Sequence, residues 1–129
     1  YSTALEIKPA FKKALFNRGL AHYEIRDADS AIKDYTNLLS LDPNDPGVYC
    51  SRGSAYGIQG EHDRAIKDFS KALELDPKDA VAYNNRAAVY HTKGEIKKAC
   101  QDVISCLKFG GKPPKKLLEK LKGCDSIDR

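Results

Sequence analysis

Three observations predict an all-α solenoid, a stack of helical hairpins, from the 129-residue sequence. First, residue types recur at a constant offset of 34: Pro43 and Pro77, Tyr49 and Tyr83, Arg52 and Arg86, Tyr56 and Tyr90, preceded by Pro9, Leu15, Arg18 and His22. Self-similarity at such a period marks a repeat architecture in which each unit packs on its neighbours. Second, apolar residues within a period are spaced as on helices: Val48, Tyr49, Ala55 and Tyr56, then Ala65, Ile66, Phe69, Ala72 and Leu73. Third, breakers punctuate each period. Gly60 and Gly94 fall midway, where a helix end favours a left-handed residue. Asp45 and Pro46 close the first period as a carboxylate cap followed by a first-turn proline.

The elements follow in order. Three units start at Lys12, Pro46 and Ala80 and span 12–45, 46–79 and 80–111. Gly19, Gly53 and Ala87 are the small residues of their first helices. Ala31, Ala65 and Ala99 are those of the second helices, which also carry Tyr35, Phe69 and Val103 and then Leu39, Leu73 and Leu107. Small residues facing large ones let two helices pack closely and antiparallel. One hairpin cannot bury its own apolar face, so neighbours must stack. Arg26 occupies the midway position of the first unit and predicts a strained turn there. "GGKPPKKLLEKLKG" breaks the register. Pro113 and Pro114 can start a helix with Leu117, Leu118 and Leu121 as its apolar stripe, read as a capping helix over 112–123 before a loose tail at 124–129.

The pattern resembles the tetratricopeptide repeat, a helix–turn–helix with an aromatic, a Gly or Ala, a Tyr, an Ala, an aromatic, an Ala and a Pro in fixed order. The second unit carries Tyr49, Gly53, Tyr56, Ala65, Phe69, Ala72 and Pro77. The third keeps Tyr83, Ala87, Tyr90 and Ala99 and substitutes Val103, Cys106 and Gly111. The first keeps Gly19, Ala31, Tyr35 and Pro43, with Leu15, His22 and Leu38 as departures. Tyr1, Ala4 and Pro9 are in register too, so residues 1–11 read as the second helix of a truncated preceding repeat.

The resemblance implies a right-handed α-solenoid that acts as a protein–protein interaction scaffold. Its first helices line a concave groove for an extended peptide or a partner helix. The implied groove residues are Lys13, Phe16, Asn17, Leu20 and Tyr23, then Ser51 and Ser54, then Asn84, Asn85 and His91. Asn85 is the leading contact, because an amide offers a peptide both a donor and an acceptor. Phe16, Leu20 and Tyr23 read either as an anchoring pocket or as packing against Leu5. Related domains grip the acidic C-terminus of heat-shock chaperones with Lys, Asn and Arg side chains. The corresponding positions here hold Phe16, Leu20, Ser51, Val81 and Asn85, so this two-carboxylate clamp is not expected.

Arg18, Arg52 and Arg86 each precede an Asp by 16 residues: Asp34, Asp68 and Asp102. An Arg that always travels with an Asp on the facing helix predicts an internal ion pair, since the guanidinium fork fits a carboxylate.

Composition excludes other classes. With 41% hydrophobic and 31% charged residues the chain is neither disordered nor membrane-embedded, and no apolar run is long enough to span a bilayer. The start lacks the layout of a secretory signal and reads as a fragment. Of the net charge of +4, residues 1–111 hold only +1; five Lys against one Glu in 112–122 supply the basicity. That short run, diluted by Leu and Pro, argues against nucleic-acid binding and reads as a solvated face. Cys50, Cys100, Cys106 and Cys124 form no CxxC pair, which points to reduced thiols and a cytoplasmic setting without a metal. His22 stands at a core position, His62 in a turn, and His91 without a triad partner, so neither an enzyme nor a cofactor is expected. Three alternatives to the scaffold remain: self-association as a homo-oligomer through the unpaired N-terminal helix, a regulatory arm of a larger protein, and nucleic-acid binding by the basic cap.

Overall fold

A computed structural model describes the backbone of residues 2–122 and the side chains of residues 9–122. Seven helices follow one another among the described residues: α1 (Ser2–Glu24), α2 (Ala28–Leu41), α3 (Pro46–Gln59), α4 (His62–Leu75), α5 (Ala80–Lys93), α6 (Ile96–Lys108) and α7 (Lys115–Lys120). Among the described residues there is no strand. The first six pair as hairpins α1–α2, α3–α4 and α5–α6, and each hairpin packs on the next through α2–α3 and α4–α5.

Close approach within a hairpin depends on size complementarity. A Cβ added at Gly19 would lie 2.6 Å from Cε1 of Tyr35, and one at Gly53 would lie 2.9 Å from Cε1 of Phe69. Ala31, Ala65 and Ala99 are fully buried between the helices. Interiors packed to crystal density leave no room for an extra methyl group at such points.

The turns inside the hairpins share one geometry. Gly60 and Gly94 are left-handed, at φ 78° and 85°, and Arg26 adopts the same conformation at φ 66°. In each turn the next residue donates its N–H five residues back: Asp27 to His22 at 2.8 Å, Glu61 to Tyr56 at 3.0 Å, Glu95 to Tyr90 at 2.9 Å. These bonds satisfy carbonyls that the helix end leaves open.

The turns between hairpins are made by paired aspartates. Asp42 and Asp76 accept from the N–H two residues on, Asn44 and Lys78; Asp45 caps α3 through Gly47, and Asp79 caps α5 through Val81 and Ala82. The Tyr49 hydroxyl donates to the Pro43 carbonyl and the Tyr83 hydroxyl to that of Pro77, both at 3.0 Å.

This explains a departure from the sequence reading. A helix ending near residue 11, with a new one from Lys12, was expected; instead α1 is continuous and Pro9 lies inside it. One period before Asp42–Asp45 the chain reads Lys8, Pro9, Ala10 and Phe11, and Leu15 replaces Tyr49. Neither capping carboxylate nor the pinning hydroxyl is present, so proline alone does not break the helix.

At the other end, Leu117 and Leu121 of the α7 region pack with Ala87, Ala99, Cys100 and Val103. The tail expected at 124–129 lies outside the described residues. Cys50 and Cys106 are free thiols, whereas Cys100 is disulfide-bonded, which corrects the expectation that the cysteines are all reduced.

Candidate functional site

Helices α1, α3 and α5 touch in succession, α1 with α3 and α3 with α5, so their outward residues form one continuous face. Four of the ten groove residues meet around a single cavity of about 100 Å³: Leu20 and Tyr23 from α1, Ser51 and Ser54 from α3. The fifth lining residue is Tyr35 of α2, whose ring packs closely over Gly19 of α1. Lys13 and Phe16 line a neighbouring cavity of about 200 Å³ with Leu38 and Val48. Phe16 also packs on the core, its ring centroid 5.9 Å from that of Tyr35. Asn17 is exposed on α1. Asn84, Asn85 and His91 are half-buried on α5 and do not line the α1–α3 cavity. Leu5, the alternative packing partner for the α1 residues, lies outside the described side chains.

The register of Tyr35 is that of a core ring, which gives no sign of a site residue. Tyr35 is one of three side chains, with His62 and Asn84, that bury a polar atom without a hydrogen-bond partner among the described residues. The residue has no solvent exposure, and its hydroxyl oxygen is buried without a hydrogen-bond partner. Burial pushes its pKa up to about 12; the nearby Ser51 hydroxyl opposes that rise without reaching hydrogen-bond geometry. The signal was in the sequence, in the one hydroxyl among Tyr35, Phe69 and Val103.

Cys50 shares the α3 surface but turns inward. Its Sγ lies 3.8 Å from Oδ2 of Asp79, and burial together with that carboxylate pushes its pKa up to about 12.

The repeated Arg and Asp side chains are engaged with each other. Arg18 donates to both oxygens of Asp34 at 2.9 and 2.7 Å, Arg52 to Asp68 at 2.8 and 2.9 Å, and Arg86 to Asp102 at 2.8 and 2.7 Å. Hydrogen bonding from Arg18 holds the Asp34 carboxyl below the usual range, and each carboxylate raises the pKa of its Arg. Arg52 and Arg86 also reach back one hairpin, to the Thr36 hydroxyl at 3.2 Å and the Ser70 hydroxyl at 3.0 Å. Their guanidinium groups sit between ring faces: Tyr49 and Tyr56 around Arg52, Tyr83 and Tyr90 around Arg86, all within 5.9 Å of the centroids. These side chains tie the helices together.

Among the described residues no group of three or more His, Cys, Asp or Glu could hold a metal ion, and no helix is long and apolar enough to cross a membrane.

Models of the tetratricopeptide repeat match residues 12–45 and 35–67, and a model described as a TPR repeat matches 58–94. The chain belongs to the tetratricopeptide repeat (TPR) family. No curated protein matches it. Among solved structures it is similar to the Sgt2 TPR domain from Aspergillus fumigatus, at 23% identity and a TM-score of 0.79, over 89% of this chain and 77% of that one. The Yersinia enterocolitica type III secretion chaperone SycD, solved with a peptide of the translocator YopD, is 19% identical with a TM-score of 0.83, over 96% and 99%. The second TPR domain of human RPAP3, in complex with an HSP70 peptide, is 22% identical with a TM-score of 0.77, over 97% and 98%. At these identities the likeness is one of fold, an all-α TPR solenoid.

Proposed function

We propose that this TPR array is a protein-interaction module whose α1–α3–α5 face holds an extended peptide or a helix of a partner. The observation that carries the reading is the cavity where Leu20, Tyr23, Ser51 and Ser54 converge from two helices. Two similar folds were solved with peptides bound, one of YopD and one of HSP70. Stacked hairpins hold such residues in place before a partner arrives, which lowers the entropy cost of association. The cations of the chaperone clamp are missing from this face, where Phe16, Leu20, Ser51, Val81 and Asn85 stand. The ligand is therefore not a peptide held by its terminal carboxylates.

The test is a pull-down from native extract with the wild-type chain and the Tyr23→Ala and Asn85→Ala variants. Each variant should retain the helical signal and lose bound partner. Undiminished binding by both places the site elsewhere.

Self-association is a second reading, favoured by an open face on the first hairpin. Phe11, half exposed, Leu15, Arg18 and Leu41 line a cavity of about 460 Å³ there. Molar mass that rises with concentration supports it, and a monomer at every concentration removes it.

A further inference from the structure

The second hairpin carries a basic cavity on the side of α3 turned away from the first-helix face. At about 100° per residue, Tyr49, Arg52 and Tyr56 lie nearly opposite Ser51 and Ser54 on that helix. With α4 they border a cavity of about 590 Å³, which shares no residue with the one around Leu20 and Tyr23. Arg52 and Asp68 neutralise each other within it at 2.8 and 2.9 Å, and the Asp68 side chain is almost wholly buried. The α4 rim is different. Arg64, Lys67 and Lys71 stand three and four residues apart, on one face of the helix. Among the described residues Arg64 and Lys67 are in no ion pair with a carboxylate, and Lys71 meets only Glu74, at 3.7 Å. Four cations against two carboxylates leave the lining with an excess of two positive charges. The same register holds Ser30, Lys33 and Asn37 in the first hairpin and Lys98, Gln101 and Ser105 in the third, so the row of three cations belongs to the second.

The spacing of the row selects the anion. Arg64 and Lys71 are about 10 Å apart along α4, longer than one phosphate or carboxylate. An extended chain with acids at alternate residues puts its charges about 7 Å apart on one side, which suits such a row. The aromatic rings are already engaged. The Arg52 guanidinium lies 5.9 Å from the Tyr49 ring centroid and 5.8 Å from that of Tyr56, and the Arg64 guanidinium lies 5.8 Å from that of Tyr56. Nucleic-acid bases need open ring faces to stack on, and a long strand needs a basic track that the neighbouring hairpins do not continue. We infer that this cavity docks an extended acidic segment of a partner protein, whose Asp, Glu or phosphorylated side chains meet Arg64, Lys67 and Lys71. The site is a second interaction surface, independent of the first-helix face.

The probes are fluorescent peptides of about eight residues, long enough to span the row and blocked at both ends so that no terminal carboxylate is offered. In them Ser alternates with Glu, with phosphoserine or with Gln. Binding is read by fluorescence anisotropy at low and at high salt, with circular dichroism confirming that each variant folds. The Glu or the phosphoserine peptide should bind and weaken with salt, the tighter of the two naming the source of the charge, and the Gln peptide should not bind. The Arg64→Gln/Lys67→Gln double variant should lose about tenfold in affinity. Lys115→Gln/Lys116→Gln removes the same charge outside the cavity and should bind as wild type does, as should Tyr23→Ala. Equal losses in the two double variants would assign the affinity to net charge and overturn the site. A loss in Tyr23→Ala would move the acidic segment to the first-helix face, and no binding of either acidic peptide at low salt would remove it altogether. A single-stranded oligothymidine that binds more tightly than both, and is lost with Arg64 and Lys67, would replace the protein partner by a nucleic acid. None of these failures touches the peptide-binding reading of the first-helix face.

Discussion

The first and second hairpins carry the same residues at the same intervals, yet they hold their arginines differently. Arg52 binds Asp68, reaches Thr36 of the hairpin before it and lies between two tyrosine rings, leaving its side chain 20% exposed. Arg18 binds Asp34 with the same fork but is 62% exposed, with Leu15 and His22 at the flanking positions. Arg86 in the third hairpin follows Arg52, at 19% exposed. The ion pair is thus one motif in two settings, and its neighbours decide its worth. Water screens an exposed guanidinium, whereas a half-desolvated one makes its buried carboxylate depend on it. The first hairpin is also the one with a non-glycine left-handed turn and an unpaired buried hydroxyl. The other two hairpins each bury one unpaired polar atom as well, Nδ1 of His62 and Oδ1 of Asn84, so the turn and the exposed arginine are what set the first apart.

The sharpest way to break this contrast is to remove each Arg. Arg52→Ala leaves the Asp68 carboxylate, 5% exposed, without its partner and should cost about 3 kcal/mol in urea denaturation. Arg18→Ala should lose clearly less, and equal losses would erase the distinction between the hairpins. Next in size is Gly19→Ala, whose methyl must displace the Tyr35 ring, at a cost of about 2 kcal/mol. The same change at Gly53, with slightly more room against Phe69, should cost less.

Tyr35→Phe runs the other way. Deleting an unpaired buried hydroxyl should stabilise the array by about 1 kcal/mol at neutral pH. Tyr35 also sets a pH dependence. Because burial raises its folded pKa, the stability its protonation lends is complete below the unfolded value of about 10 and fades as pH rises toward 12. Thermal melts across that interval should fall less steeply in Tyr35→Phe than in wild type. The smallest effect is expected at Arg26, where Gly relieves the left-handed backbone and should add about 0.5 kcal/mol to the melting stability. No gain there would mean that the turn is unstrained.

The all-α stack was legible because two independent periods agreed, the helical spacing within a unit and the offset of 34 between units. Leu20, Tyr23, Ser51 and Ser54 could be named because the resemblance assigns their register to the groove. The structure adds that these four, and not Asn84, Asn85 or His91, surround one cavity. Tyr35 escaped because periodicity reports where a ring goes and is silent on whether its hydroxyl finds a partner. The continuous α1 escaped because Pro9 matches Pro43, whereas the break depends on the aspartates around the proline, which Lys8 and Phe11 replace. The bond at Cys100 escaped because spacing shows which cysteines are near in sequence, not in space.

The most direct test of peptide binding on the face of the first helices is backbone amide NMR of the labelled protein titrated with a peptide of the partner recovered in the pull-down. Shifts should concentrate at Leu20, Tyr23, Ser51 and Ser54 and fade along α5. Shifts confined to α2, α4 and α6, with those four amides unmoved, would contradict it.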